Sequence, residues 1–172
     1  MKAIILAAGE GTRLRPYTDN KPKCMVEING VSMIDRQIKV LNSFGIEEII
    51  IIGGYKSEML HNKKTNLILN ERFFETNMVW TLFCGDKYIN GELIVSYGDI
   101  VYSPESLKNV LNSKADISVA ILTSNNTQNK RILYKGCNPT SLSGLQLTSI
   151  ASSVEYLTFN ASFVFTGFEF KG

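Results

Sequence analysis

A chain of 172 residues with 44% hydrophobic and 20% charged side chains has the size and balance of one soluble globular domain, residues 1–172, with a core of its own. Its net charge of +2 arises in the C-terminal third, because residues 1–117 hold equal numbers of acidic and basic side chains; no basic face is left for nucleic acid, and Lys63-Lys64 and Lys130-Arg131 are isolated pairs of surface charge. No run approaches a membrane span and the short apolar stretch Ala3 to Ala8 lacks the flanks of a signal peptide, so no membrane association is expected and the cytoplasm is the expected compartment.

Along the chain, Lys2 to Ala7 is predicted as a strand that empties into Ala8-Gly9-Glu10-Gly11. Ser32 is placed to cap a helix that presents Ile34, Ile38 and Leu41 on one face and stops at Gly45. Glu48 to Ile52 is the next strand, followed by the Gly53-Gly54-Tyr55 turn and a short helix from Lys56 to about Asn62. His61, the only histidine, sits in a polar stretch and reads as a surface residue. Asn66 to Leu69 is a strand, Thr76 to Tyr88 a helix, Glu92 to Ser96 a strand, and Ser103-Pro104 opens a helix through Leu107, Val110 and Leu111 before a strand at Asp116 to Leu122. Short apolar strands alternating with helices predict a parallel α/β sheet buried on both faces, with ligands at the carboxyl ends of its strands. Gly9 to Arg13 and Asp99 both fall at such ends.

Beyond residue 122 strand-like pieces recur at Lys130 to Lys135, Val154 to Phe159 and Ala161 to Phe165, with turn signals at Gly136 to Pro139 and Ser143-Gly144. The cysteines Cys24, Cys84 and Cys137 are odd in number and widely spaced, which suits reduced thiols better than a zinc site or a disulfide framework.

The loop after the first strand has the chemistry of a phosphate site. Two glycines let backbone N–H groups approach an anion, and Arg13 and Lys23 add positive charge; a nucleoside triphosphate is the expected ligand. The familiar phosphate-loop patterns do not fit, since Gly11 is followed by Thr12-Arg13 rather than Lys-Ser or Lys-Thr, and Leu14 stands where a dinucleotide fingerprint needs its third glycine. Asp99 is delivered just past the run Leu93-Ile94-Val95 by Ser96-Tyr97-Gly98. There it either reaches a nucleotide-bound Mg²⁺, which takes one or two carboxylates and fills its shell with phosphate and water oxygens, or it caps the helix near Ser103 or the turn after Gly98.

Leu6-Ala7-Ala8-Gly9-Glu10-Gly11-Thr12-Arg13-Leu14-Arg15-Pro16 with Lys21-Pro22-Lys23 resembles the signature of the nucleotidyltransferases that activate sugar 1-phosphates and small phosphorylated compounds. Gly30 before Met33 to Gly45-Ile46, then Ile49 to Tyr55, Thr76-Asn77-Met78-Val79 and Val95-Ser96-Tyr97-Gly98-Asp99 resemble later segments of that family in the same order, over roughly residues 1 to 120. The nearer likeness is to the branch that makes CDP-linked small molecules, such as phosphocholine and phosphoglutamine cytidylyltransferases. The resemblance implies a Rossmann-like, GT-A-like α/β fold with a mostly parallel mixed sheet flanked by helices. Residues 1–122 would then form the nucleotide-binding core and 123–172 a divergent or truncated acceptor-side segment, because the expected second acidic ligand in an Asp-x-Asp-like context is not found there.

On that resemblance, CTP and a small phosphorylated acceptor (phosphocholine-, phosphoglutamine- or aminoethylphosphonate-like) are the substrates, Mg²⁺ the cofactor, and capsule or surface glycan and lipid modification the setting; a homo-oligomer is admitted. Arg13 would lie on the triphosphate and the leaving pyrophosphate, Lys23 would bridge the α-phosphate and the acceptor phosphate, and Asp99 would hold the metal. Leu6, Ala7, Ala8, Gly9, Gly11, Thr12, Gly54 and Tyr55 would surround the nucleotide, while Asn77 either reads the base or acceptor or caps a helix. Trp80, Phe83, Phe73 and Phe74 are either core or an aromatic wall for a quaternary ammonium, and Arg15 is less tied to the phosphates than Arg13. Two other functions stay open: a sugar-1-phosphate nucleotidyltransferase using UTP, dTTP or GTP, and a nucleotide-binding domain without turnover.

Overall fold

The structure is a computed structural model that describes residues 1–61 and 64–121 and, beyond them, the backbone of the strands at 130–135, 138–142, 161–164 and 167–171. The chain divides into two compact units, Met1–Tyr102 and Ser103–Gly172, and every candidate site residue belongs to the first.

The first unit is built on four parallel strands: β1 (Lys2–Ala7), β4 (Ile49–Gly53), β5 (Asn66–Leu69) and β6 (Leu93–Tyr97), in the order β5-β4-β1-β6. Parallel strands covered on both faces need apolar residues at consecutive positions. Ile49, Ile50, Ile51 and Ile52 accordingly are all 2% exposed or less, and Ala3, Ile4 and Ile5 of β1 are fully buried. On one face Ile4, Ile50 and Ile52 pack with Leu6, Ile68, Leu82 and Leu93. The two central strands run in register from Ala3 opposite Ile49 to Ala7 opposite Gly53, and β6 lies on the other side of β1 with Leu6 opposite Tyr97. The carboxyl ends of three strands therefore arrive together.

Between β1 and β4 a small antiparallel hairpin, β2 (Glu27–Ile28) with β3 (Val31–Ser32), precedes α1 (Met33–Ser43). Ser32 Oγ caps α1 by accepting the Asp35 N–H at 3.1 Å, and Ile34 and Leu41 are fully buried. The hairpin went unpredicted because two-residue strands carry no periodic signal. The helix expected from Thr76 to Tyr88 is shorter, α2 spanning Met78–Phe83 with a 3-10 turn at Asp86–Tyr88. Gly85 interrupts it where the backbone comes so close to β4 that a Cβ would stand 2.9 Å from Ile52 Cδ1. The short helix expected from Lys56 is a 3-10 turn, Ser57–Leu60.

In the second unit, Ser103 caps α3 (Pro104–Leu111) through the Ser106 N–H at 3.1 Å. β7 (Ile117–Ile121), β8 (Lys130–Lys135) and β11 (Gly167–Lys171) form an antiparallel sheet in the order β11-β8-β7, and β9 (Asn138–Leu142) pairs antiparallel with β10 (Ala161–Val164). The turn expected at Gly136 to Pro139 is in part strand: Pro139 pairs with Phe163 beside a register shift between Ser162 and Phe163, an irregularity that accommodates a residue without an N–H. The strand expected at Val154 to Phe159 and the turn at Ser143-Gly144 lie outside the described residues. Among the described residues no helix is long and apolar enough to cross a membrane.

Candidate active site

At the end of β1 the chain turns through Ala8, Gly9 and Gly11. Gly11 has φ +68° and its carbonyl accepts the hydroxyl of the buried Thr18 at 2.9 Å. A Cβ there would stand 2.8 Å from Lys23 Cβ and 3.2 Å from Thr18 Cγ2, so glycine is required both by the left-handed backbone and by the approach of Lys23. Around Gly9, by contrast, nothing lies within 4 Å of where a Cβ would be; the space beside the exposed Gly9 is open to a ligand.

Thr12–Leu14 forms a 3-10 turn that carries Arg13 into solvent, and among the described residues no carboxylate pairs with it. Arg15 is spoken for, with Glu10 at 3.7 Å and Asp19 at 3.5 Å. Lys23 opens a second 3-10 turn, Lys23–Met25, anchored by the buried Cys24.

Asp99 arrives from the other side. The Gly98 N–H donates to the Leu6 carbonyl at 2.8 Å, continuing the β1–β6 pairing past the end of the strand. A Cβ on Gly98 would lie 3.0 Å from Ala7 Cβ and 3.1 Å from Cys24 Cβ, so the absence of a side chain lets β6, β1 and the Cys24 turn converge. The result is a 2.5 Å contact from Lys23 Nζ to Asp99 Oδ2. The alternative of a helix cap is not realised, since Ser103 caps α3 itself.

Beneath this turn lies Gln37 of α1, 1% exposed. Its Nε2 donates to the carbonyls of Tyr97 at 2.9 Å and Ile100 at 2.7 Å, and its Oε1 accepts the Ser96 hydroxyl at 2.7 Å. Gln37 is not among the candidate residues read from the sequence, although a signal is present: it falls on the apolar stripe of Ile34, Ile38 and Leu41, where a polar side chain needs partners. The neighbouring Tyr97 phenol is held above its ordinary pKa, first by burial and then by the negative charge of Asp99.

The β4 end supplies a third wall. The Tyr55 N–H donates to the Ala8 carbonyl at 3.0 Å and the Tyr55 hydroxyl to the Asp19 carbonyl at 2.9 Å. Gly54 is confined, because a Cβ would meet Phe73 Cβ at 2.6 Å and the Ala8 carbonyl oxygen at 2.7 Å. Of the residues expected to surround the nucleotide, Leu6 and Ala8 thus already have their carbonyls bonded to the Gly98 and Tyr55 N–H groups.

Asn77 takes the capping role: its Oδ1 accepts the Trp80 N–H at 3.0 Å. The aromatic cluster is only partly assembled. Phe73 meets Tyr55 and Phe74 edge-on at 6.3 and 5.8 Å, while Phe74, Trp80 and Phe83 are exposed rather than core. The Arg72 guanidinium lies 5.3 Å from the Trp80 ring centroid, so one cation already occupies that ring. His61 is exposed, as expected. Among the described residues no three His, Cys, Asp or Glu side chains converge on a metal site.

Comparison with known proteins gives this geometry a family. The inositol-1-phosphate CTP transferase of T. maritima superposes with a TM-score of 0.59 at 23% identity, over 69% of this chain and 51% of that one, which establishes the nucleotidyltransferase fold. The MobA-like NTP transferase domain model matches residues 3–156, and the chain belongs to that family. The match runs past residue 122, beyond which the segment was expected to be divergent or truncated.

Among curated proteins, the CTP:phosphoglutamine cytidylyltransferase of Campylobacter jejuni is 39% identical over 132 residues, 70% of this chain and 52% of that protein. The choline-phosphate cytidylyltransferase of Streptococcus pneumoniae is 43% identical over 101 residues, 56% of this chain and 42% of that protein. The chain thus spans about half the length of these relatives.

Proposed function

We propose that this chain is a Mg²⁺-dependent cytidylyltransferase that joins CTP to a small phosphorylated or phosphonylated acceptor and releases pyrophosphate, with nucleotide binding in the Met1–Tyr102 unit. The observation that carries the reading is the meeting of Lys23 and Asp99 at 2.5 Å beside the open Gly9 to Arg13 loop, at the carboxyl ends of adjacent parallel strands. The cytidylyltransferase names of the relatives support the base and the acceptor class, with capsule or surface glycan and lipid modification as the setting. A nucleoside triphosphate donor puts the reaction in the cytoplasm.

Asp99 is one half-exposed carboxylate, and among the described residues no three His, Cys, Asp or Glu side chains gather into a metal site. That suits Mg²⁺, which takes few protein carboxylates when phosphates share its shell, and fits poorly an ion held by protein alone. Bound there, the metal would neutralise charge on the α-phosphate.

The chain's own residues supply the rest. Acceptor and donor are both anions, so alignment and charge neutralisation are the work, and an already ionised phosphate oxygen needs no general base. That oxygen forms a bond to the α-phosphorus of CTP as the bond from α-phosphorus to the β-phosphate oxygen breaks. Arg13, exposed and without a carboxylate partner among the described residues, is placed to take the β- and γ-phosphates and the departing pyrophosphate. Lys23 exchanges its carboxylate partner for the α-phosphate and the acceptor phosphate. Tyr55 and Gly54 close the side of the loop toward the base and ribose.

The test is pyrophosphate release with Mg²⁺ and each of CTP, UTP, dTTP and GTP against phosphocholine, phosphoglutamine, aminoethylphosphonate and common sugar 1-phosphates. Product from CTP and one small acceptor is the expected result. Product from another nucleotide and a sugar 1-phosphate would overturn the base and acceptor, and silence with CTP binding still detectable by calorimetry would reduce the chain to a nucleotide-binding domain.

A further inference from the structure

We infer that Gln37 is a positioning residue that sets the Asp99 carboxylate for metal, an inference that rests on the metal role of Asp99 proposed above. Asp99 stands in the turn Tyr97-Gly98-Asp99-Ile100, closed weakly by the Ile100 N–H to the Tyr97 carbonyl at 3.4 Å. Gln37 Nε2 binds the carbonyls at both ends of that turn, at 2.9 and 2.7 Å. One amide group therefore bridges the two ends of the turn that carries the carboxylate, and it does so with bonds shorter than the turn's own.

The clamp is itself fixed. The Tyr97 and Ile100 carbonyls can only accept, which settles the orientation of the amide with Nε2 toward them, and Ser96 Oγ donates to the remaining Oε1 at 2.7 Å. Gln37 and Ser96 are both buried, so water does not compete for the bond between them, and loss of the amide takes both of its donated bonds from the Tyr97 and Ile100 carbonyls. Gly98 has no side chain to wedge the turn, and its N–H is tied to Leu6. The turn is held from the sheet by Gly98 and from α1 by Gln37, and Asp99 projects from between the two holds. Groups that orient a metal-binding side chain from behind commonly affect metal affinity about 10- to 100-fold.

The experiment compares the full-length wild type, Gln37→Leu and Ser96→Ala. Mn²⁺ uptake is followed by electron paramagnetic resonance with CTP present, CTP affinity by calorimetry without metal, and amide hydrogen exchange over residues 97–100 by mass spectrometry. Gln37→Leu is expected to weaken Mn²⁺ binding about 10-fold or more, to speed exchange in the turn, and to leave metal-free CTP affinity within about 2-fold, a split that general destabilisation does not produce. Ser96→Ala, which keeps both donor bonds, should shift both readouts in the same direction by less, and it carries the comparison if Gln37→Leu does not fold. Folded variants with wild-type Mn²⁺ affinity overturn the inference. A wild type that takes up no Mn²⁺ with CTP overturns it through the metal reading on which it rests, and exchange that still quickens in Gln37→Leu would show that the reading, rather than the clamp, had failed.

Discussion

Lys23 and Asp99, 76 positions apart in the chain, form an ion pair at 2.5 Å in which each partner stands on a turn at the end of the same parallel sheet. The two groups proposed to bind phosphate and metal neutralise each other before either ligand arrives. Their side chains are 36% and 38% exposed, and such solvated pairs are worth about 0.2–1 kcal/mol, so the pair is a weak lock that a metal–nucleotide complex opens at small cost. Lys23→Met should therefore raise Mn²⁺ affinity in the absence of nucleotide by no more than about 5-fold, while lowering turnover with CTP by about 10²-fold. Weaker Mn²⁺ binding in this variant would mean that Asp99 does not meet the metal where Lys23 meets Asp99.

Asp99→Asn separates two causes at Tyr97. Burial and the Asp99 charge both raise the phenol's pKa, burial more. Removing only the charge should move that pKa down while leaving it above the ordinary tyrosine range, read by absorbance titration of tyrosinate with Tyr97→Phe as the reference. The same substitution should abolish Mg²⁺-dependent pyrophosphate release with the fold retained. An unmoved Tyr97 titration would deny the proximity, and an unchanged Mg²⁺ titration would deny the metal role.

Arg13 and Arg15 are two residues apart and should behave differently. Arg13→Ala removes a guanidinium that pairs with no carboxylate among the described residues, so thermal stability should stay near wild type while kcat falls about 10²-fold or more. Arg15→Ala removes only ion pairs to Glu10 and Asp19 on the exposed surface, worth about 1 kcal/mol at most, and should cost much less activity. Similar kinetic losses in the two variants would show that the loop's general charge, and not the placement of Arg13, binds the phosphates.

Gly11 and Gly54 are close-approach glycines with different consequences. Gly11→Val puts a branched side chain at a left-handed position and 2.8 Å from Lys23 Cβ, so CTP binding by calorimetry should be lost. Gly54→Ala presses on Phe73 and on the Ala8 carbonyl; overpacking of this kind costs about 1–3 kcal/mol, and the urea midpoint should fall accordingly. Gly9, with open space around it, should tolerate alanine with no comparable loss of stability. Equal destabilisation at Gly9 and Gly54 would contradict this account.

Much of the first unit was legible because its determinants are local. The consecutive isoleucines of β4 announce a strand buried on both faces, Ser32 announces the start of α1, and Gly9 and Gly11 announce the turn at the end of β1. The C-terminal limit of α2 was not legible. Gly85 and its neighbours have tolerable helical periodicity, and the close approach of Gly85 to Ile52 of β4, where a Cβ would stand 2.9 Å from Ile52 Cδ1, is a long-range feature. The aromatic cluster was readable in type but not in placement, since core burial and solvent exposure give Trp80 and Phe83 the same spacing.

The sequence by itself determined the parallel α/β character of the first unit and the residue types that gather at the ends of its strands, because period, turn residues and charge are properties of neighbours in the chain. Only the tertiary structure decided that β6 lies beside β1, that Lys23 faces Asp99, and that Gln37 turns inward to hold the turn that carries Asp99. Those facts depend on strand order and on the close approach of Gly98 to Ala7 and Cys24, and long-range packing of that kind leaves no mark in the spacing of residues along the chain.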